Sequence, residues 1–165
     1  MKTFLIILSF LIGAVLILLF VLGVLSREGK PPGLFEGHLS KCPDKPNCVC
    51  SEFSEDASHY IESIAVPDTA AGTFTLLKTV ILDMGGVIHT DREDYLATTF
   101  SSPVFGFTDD LEIRTDTGRG VIHIRSASRV GHGDMGVNRR RVEQLKGLFQ
   151  ERMANLDLQV LPPTG

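Results

Sequence analysis

Between Phe4 and Leu25 the chain reads FLIILSFLIGAVLILLFVLGVL, with no charged residue and nothing more polar than Ser9. A helix of roughly 20 such residues, rising about 1.5 Å per residue, crosses the hydrocarbon core of a bilayer. The run meets that length, so residues 1–26 read as a single transmembrane anchor that meets the membrane through residues 4–25. The rival is a removed signal peptide, whose apolar region is usually about 7–15 residues and ends at a small-residue cleavage site. Here the run is longer and closes on Gly23-Val-Leu-Ser26, a poor match, and no cysteine follows closely enough to carry a lipid. The mean hydropathy of +0.14 therefore misleads, because the apolar residues are unevenly placed.

Orientation is contested by two signals. Lys2 precedes the span while Arg27, Lys30, Lys41 and Lys45 follow it, and a simple count would put the C-terminal side inside. That rule weakens when a long domain follows, since such domains translocate largely regardless of charge. The cysteines arbitrate. In KCPDKPNCVC, the turn formers Pro43, Asp44, Pro46 and Asn47 lie between Cys42 and Cys48 and can bring them within bridging distance. Closing so small a ring contributes about 2 kcal/mol in the chain-entropy model. Disulfides persist in oxidising compartments, so this pair favours a cell-membrane protein with its C-terminal domain extracytoplasmic. The competing zinc site, three thiolates with His38 or His59, lacks the usual paired-cysteine spacing. Cys50 is then an odd thiol, read as a small buried hydrophobe.

Along the chain, residues 27–41 hold Gly29, Pro31, Pro32, Gly33 and Gly37 and read as a flexible tether. Residues 42–158 form one domain of ordinary small size, and 159–165 a tail. Tyr60 to Val66 is a short strand ended by Pro67. Phe74, Leu77, Val80, Ile81 and Met84 repeat at helical spacing until Gly85-Gly86. Val87–Thr90 and Tyr95–Phe100 flank turn residues as a hairpin, followed by strands over Phe107–Thr115 and Gly120–Ser128 around an Asp116–Arg119 turn. Val142, Leu145, Leu148, Phe149, Met153 and Leu156 stripe a last helix. Strand, helix, meander, helix predicts an α+β sandwich: an antiparallel meander with two helices packed on one face, behind one transmembrane helix. The other face is free to meet water. Alternation turns Leu111, Ile113, Ile122 and Ile124 inward, and sets Glu112 opposite His123 and Asp110 opposite Arg125 on a charged outer face.

Several motifs together resemble one family. Cys42-Pro-Asp-Lys-Pro-Asn-Cys48-Val, His59-Tyr-Ile-Glu62, Tyr95-Leu96, Phe105-Gly-Phe107 with Asp109-Asp110, and above all Arg125-Ser-x-Ser-Arg129-x-Gly131 with Asp134-x-Gly-x-Asn-Arg139 are similar to the domain-of-unknown-function 1499 family, over roughly residues 39–155. The resemblance implies a small α+β domain, often exported or membrane-tethered, with no established activity. Cys50 stands where the family pattern has a serine. The family's first-helix tryptophan is missing, with Phe74 near its place.

Gly131-His-Gly133-Asp-Met-Gly136 is a literal G-x-G-x-x-G, but a dinucleotide fingerprint lies between the first strand and first helix of a βαβ unit. Here the glycines precede the last helix, so no nucleotide or other cofactor is expected. The arginines around the turn still pose a question, because Arg139, Arg140 and Arg141 crowd a helix N-terminus that is already partly positive. Arg125 and Arg129 approach from the preceding strand, and Asn138 or Asp134 is the N-cap. One resolution is internal. Residues 41–118 carry five basic and fourteen acidic residues while 119–165 carry eight and four, so Asp109, Asp110 and Asp134 can pair with the arginines. The other is an external anion held by Arg125, Arg129, Gly131, Gly133, Asn138 and Arg139. Net charge −4 argues against nucleic acid.

Ser126, Ser128, His123, His132 and Asp134 contain the residue types of a hydrolase, yet His123 and Ser126 fall on opposite faces of one strand and no G-x-S-x-G elbow is present. No catalytic or metal residues are assigned. Leu161-Pro-Pro-Thr-Gly165 matches a sorting signal by coincidence, lacking the hydrophobic segment that should follow. The sequence thus reads as a membrane-anchored, non-catalytic binding or accessory domain for an anionic or amphiphilic ligand or an envelope protein partner, with a hydrolase as the alternative.

Overall fold

The computed structural model describes residues 1–66 and 70–160. The apolar run forms one helix, α1 (Lys2–Arg27), and no residue of its most apolar window is buried in the protein. The domain beyond it is an antiparallel sheet built around the meander β5 (Val87–Asp91), β6 (Tyr95–Ser101), β7 (Thr108–Asp116) and β8 (Val121–Ser128). β3 (Cys48–Cys50) and β4 (Ile64–Ala65) pair with the two ends of β8, giving the order β3-β8-β7-β6-β5 with β4 beside β3's end of the path. The expected strand over Tyr60–Val66 is shorter than its apolar content suggests, and β3 was not anticipated.

α2 (Ala70–Asp83) and α3 (Val137–Val160) pack on one face, as the meander requires. Gly85 and Gly86 amides close α2 by donating to the Leu82 and Ile81 carbonyls. Leu77, Val80 and Ile81 of α2 and Val142, Leu145 and Phe149 of α3 interlock with Leu96, Leu111, Ile113, Ile122 and Ile124 of the sheet. The α3 stripe runs out at Leu156, which is exposed. Pro67 and the Leu161–Gly165 motif lie outside the described residues.

Two features of the meander differ from expectation. β7 and β8 pair two residues out of the expected register, with Glu112 opposite Arg125, Arg114 opposite His123 and Asp110 opposite Ala127, because the loop is 117–120. A shift of two leaves every side chain on its face, so the inward set is unchanged. The second correction concerns that other face. It does not meet water: Asp110, Glu112, His123 and Arg125 are all buried. Residues inside the expected tether cover it. Leu34–Phe35 (β1) pairs with His38–Leu39 (β2), and Leu39, 1% exposed, joins Cys50, Tyr95 and Ala97 in a second small core. Gly33 N–H donates to Glu112 Oε1 at 2.9 Å, pinning the segment to the sheet centre.

If residues 34–39 are structural in this way, Leu39→Ala lowers stability by about 2–5 kcal/mol, the cost of a truncated core leucine. A denaturant melt of the detergent-solubilised protein measures it. A loss below about 0.5 kcal/mol, as for a surface position, would show the segment to be a loose tether after all.

Candidate functional site

The glycine turn is answered by its own aspartate. Gly131 and Gly136 take left-handed backbone conformations (φ +87° and +75°) that a side chain would strain. The turn they make aims the α3 N-terminus at Asp134. Its carboxylate accepts the Gly136 amide at 2.9 Å and the Asn138 amide at 2.7 Å, filling the place an external anion would take. Asp134, not Asn138, therefore caps α3. Asn138 is buried in the first turn of α3, where its amide nitrogen donates to the Asn47 carbonyl and Ser128 Oγ, and its oxygen accepts from Ser126 Oγ and Arg141 Nη1, both at 2.6 Å. Arg141 continues the knot to Asp109 at 2.7 Å and stacks over Phe100.

On the opposite face lies a sheet of buried charges. Glu112 accepts from Arg125 Nη1 (2.9 Å), Tyr95 Oη (2.7 Å) and Gly33 N–H. Burial pushes the Glu112 carboxyl up against those donors, and pushes the Tyr95 phenol up too. Arg114 pairs with Glu52 at 2.6 Å, which also takes His38. His123 hydrogen-bonds Ser51 at 3.1 Å, and burial holds its imidazole below the usual value.

A third cluster sits where α1 leaves its apolar run. Ser26 Oγ accepts the Thr108 amide at 3.0 Å and donates to the Gly23 carbonyl. Arg129 grips Asp110 with Nε and Nη2 (2.7–3.1 Å) while Nη1 donates to the Ser26 and Arg27 carbonyls at 3.2 and 3.1 Å. Beside this junction runs a groove of about 730 Å³ lined by Arg27, Glu28, Lys30, His89, Arg92 and Arg129, among others. Glu28 is its one carboxylate. Among the described residues the Arg27, Lys30 and Arg92 side chains have no ion-pair or hydrogen-bonded partner, whereas Arg114, Arg125, Arg129, Arg139 and Arg141 all do.

The six residues expected to share an anion are thus not brought together. Arg125 is spent on Glu112, and Arg139 donates to the Tyr60 and Ser58 carbonyls. Gly131 gives its carbonyl to Asn47, and Gly133 is an exposed turn residue. Asn138 and Arg139 border a separate cavity of about 430 Å³ between the disulfide loop and α3, where Asp44 and Asp134 oppose an anion. Arg129 alone reaches the basic groove. Arg27 and Lys30 served the sequence only as an orientation count and Arg92 only as a turn residue. Nearness to the apolar run was the available signal for Arg27 and Lys30, while Arg92, far along the chain, carried none. Of the residues of the hydrolase alternative, His123 lies across the sheet from Ser126 and Ser128, whose hydroxyls engage Asn138, and Asp134 is bonded to the same Asn138 amide. Cys42 and Cys48 form a disulfide with Cα atoms 5.6 Å apart, so the thiolates of the zinc alternative are consumed. Cys50 is free and buried, its thiol pushed up to about 11 by burial.

A family model described as a protein of unknown function, DUF1499, matches residues 38–149. No curated protein and no solved structure matches the chain.

Two outcomes follow from the buried charges. Arg125→Ala strands Glu112 in the interior and costs about 3–5 kcal/mol in a denaturant melt, while Glu112→Leu combined with Arg125→Met recovers part of that loss. His123 supplies a pH dependence. Its folded-state value lies below the ordinary 6.5, so the unfolded chain takes up the proton first. The contribution is full above pH 6.5 and is lost as pH falls from there through the lower folded value. Between pH 7 and about 5 the melting temperature of His123→Gln should fall less steeply than that of the native protein; parallel slopes would assign the acid loss to other groups.

Proposed function

The chain belongs to the DUF1499 family, and because that family's description assigns no activity, we propose from this chain's own geometry that it is a membrane-anchored, non-catalytic domain whose juxtamembrane groove takes the headgroup of an anionic amphiphile. The observation that carries the reading is the convergence of Arg27, Lys30 and Arg92, unpaired, on one groove at the exit of α1. Unpaired cations beside a bilayer attract anionic lipid by about 1 kcal/mol each. Arg114, Arg125, Arg129, Arg139 and Arg141 have internal partners and little left to offer a ligand.

An uncleaved anchor is supported by the junction. Removing α1 would strip the Thr108 amide and Arg129 of their partners at Ser26 and Arg27. The Cys42–Cys48 disulfide supports an oxidising compartment for the domain, with the N-terminus inside.

Thermal melting of the detergent-solubilised protein with short-chain phosphatidylglycerol, short-chain phosphatidylcholine and glycerol phosphate tests the reading. Phosphatidylglycerol should stabilise by about 1.4 kcal/mol at ten times its Kd, and phosphatidylcholine should not. Lys30→Glu with Arg92→Glu should erase that gain without lowering the starting melting temperature, since both side chains are exposed and unpaired. An equal gain in the double variant, or none in the native protein, rejects the groove. The same gain from glycerol phosphate alone would make it a site for free anions and not for an amphiphile.

A further inference from the structure

The loop Ser102-Pro-Val-Phe-Gly-Phe107 between β6 and β7 turns away from the sheet and packs along α1. Phe105 meets Phe20 edge-on with ring centroids 6.2 Å apart, and Phe107 backs Phe105 at 6.1 Å. Gly23 makes the approach possible, because a Cβ there would collide with the Phe105 carbonyl. Phe20 lies six residues before Ser26, about 9 Å down the helix axis. Helical side chains lean toward the N-terminus, which here is the deeper direction. The loop tip therefore passes below Leu25, the last residue of the apolar run, to the depth of about 5–10 Å at which interfacial elements bury their apolar faces.

Its chemistry suits that depth. Val104 is 70% exposed at the tip. A backbone entering lipid must satisfy its amides internally. In this loop Ser102 N–H donates to the Phe107 carbonyl (2.8 Å), Gly106 N–H to the Ser102 carbonyl (3.1 Å) and Phe107 N–H to Ser102 Oγ (2.9 Å), while Pro103 has no amide proton; the Val104 and Phe105 amides have no internal partner among the described residues, which limits the loop to the hydrated interfacial layer. What surrounds Val104 is what surrounds the neighbouring outer turns of α1. We infer that residues 102–107 are a membrane-dipping wedge, with Val104 and Phe105 entering the interfacial lipid of the leaflet that α1 leaves. This rests on the anchor reading of α1.

The chain has no tryptophan, so single tryptophans report position directly. Val104→Trp, Ile12→Trp in mid-span and Thr117→Trp at the far end of β7 are each reconstituted in phosphatidylcholine nanodiscs with and without brominated acyl chains. The wedge requires Val104→Trp emission to be blue-shifted from that of Thr117→Trp and quenched by the brominated lipid, with Thr117→Trp unquenched. Unquenched Val104→Trp alongside quenched Ile12→Trp overturns the wedge, whether its emission is shifted or not, and leaves the anchor standing. Unquenched Ile12→Trp overturns the anchor, and the wedge with it.

Discussion

Arg129 holds the molecule together at its most demanding point. The C-terminal end of a helix exposes its last carbonyls, which carry the partial negative charge of the macrodipole and need donors. One guanidinium meets that need at the Ser26 and Arg27 carbonyls while its other edge grips Asp110 on β7. Its planar fork is what allows the double duty, since a lysine would offer one point charge in place of two directed edges. Sheet and α1 thus share one guanidinium, and the segment leaving α1 starts from a fixed position. Everything that covers the sheet's second face descends from that start: Gly33 reaches Glu112 and Leu39 reaches the small core because the chain is already lying on β7.

Covering that face changes the energetics of the charges on it. Exposed cross-strand ion pairs contribute a few tenths of a kcal/mol, but buried ones carry a desolvation cost that excellent geometry must offset. Glu112 meets that condition with three donors. Arg125 Nε and His123 Nε2 do not, having no hydrogen-bond partner among the described residues. The buried layer therefore specifies which strands and which N-terminal segment belong together more than it adds to stability. The acidic middle and basic end of the chain are the trace in the sequence of buried pairing on both faces, Asp110 with Arg129 and Glu112 with Arg125 on the covered face and Asp109 with Arg141 beside α3.

Local periodicity made most of the fold legible. The spacing of Leu77, Val80 and Ile81, the alternation of Leu111 and Ile113, and the stripe from Val142 to Phe149 each name a face, and those faces are the core. The disulfide was legible because its loop is short and rich in turn formers. What escaped was non-local. Nothing in Gly29-Lys-Pro-Pro-Gly33 announces that it lies across a sheet, since glycine and proline serve a docked arch as readily as a loose tether. The arginine cluster misled for a related reason: sequence proximity of Arg125, Arg129 and Arg139 says little when one points across the sheet, one toward the anchor and one toward the Ser58–Tyr60 backbone.

The same partition explains why an anion-binding reading survives at a different address. A cation is available to a ligand only to the extent that the fold has not used it. The motif-bearing arginines are conspicuous in the sequence because the fold needs them in register, and that need exhausts them. Arg27, Lys30 and Arg92 sit in no motif, and among the described residues no ion pair or side-chain hydrogen bond uses their charge. With Arg129 fixing the exit of α1, Arg27 and Lys30 start from a defined position on the domain instead of sweeping through a tether's range. Under the membrane anchoring proposed above, a groove held in that position would meet one layer of headgroups continuously, which raises the effective concentration of lipid around it without requiring strong intrinsic affinity.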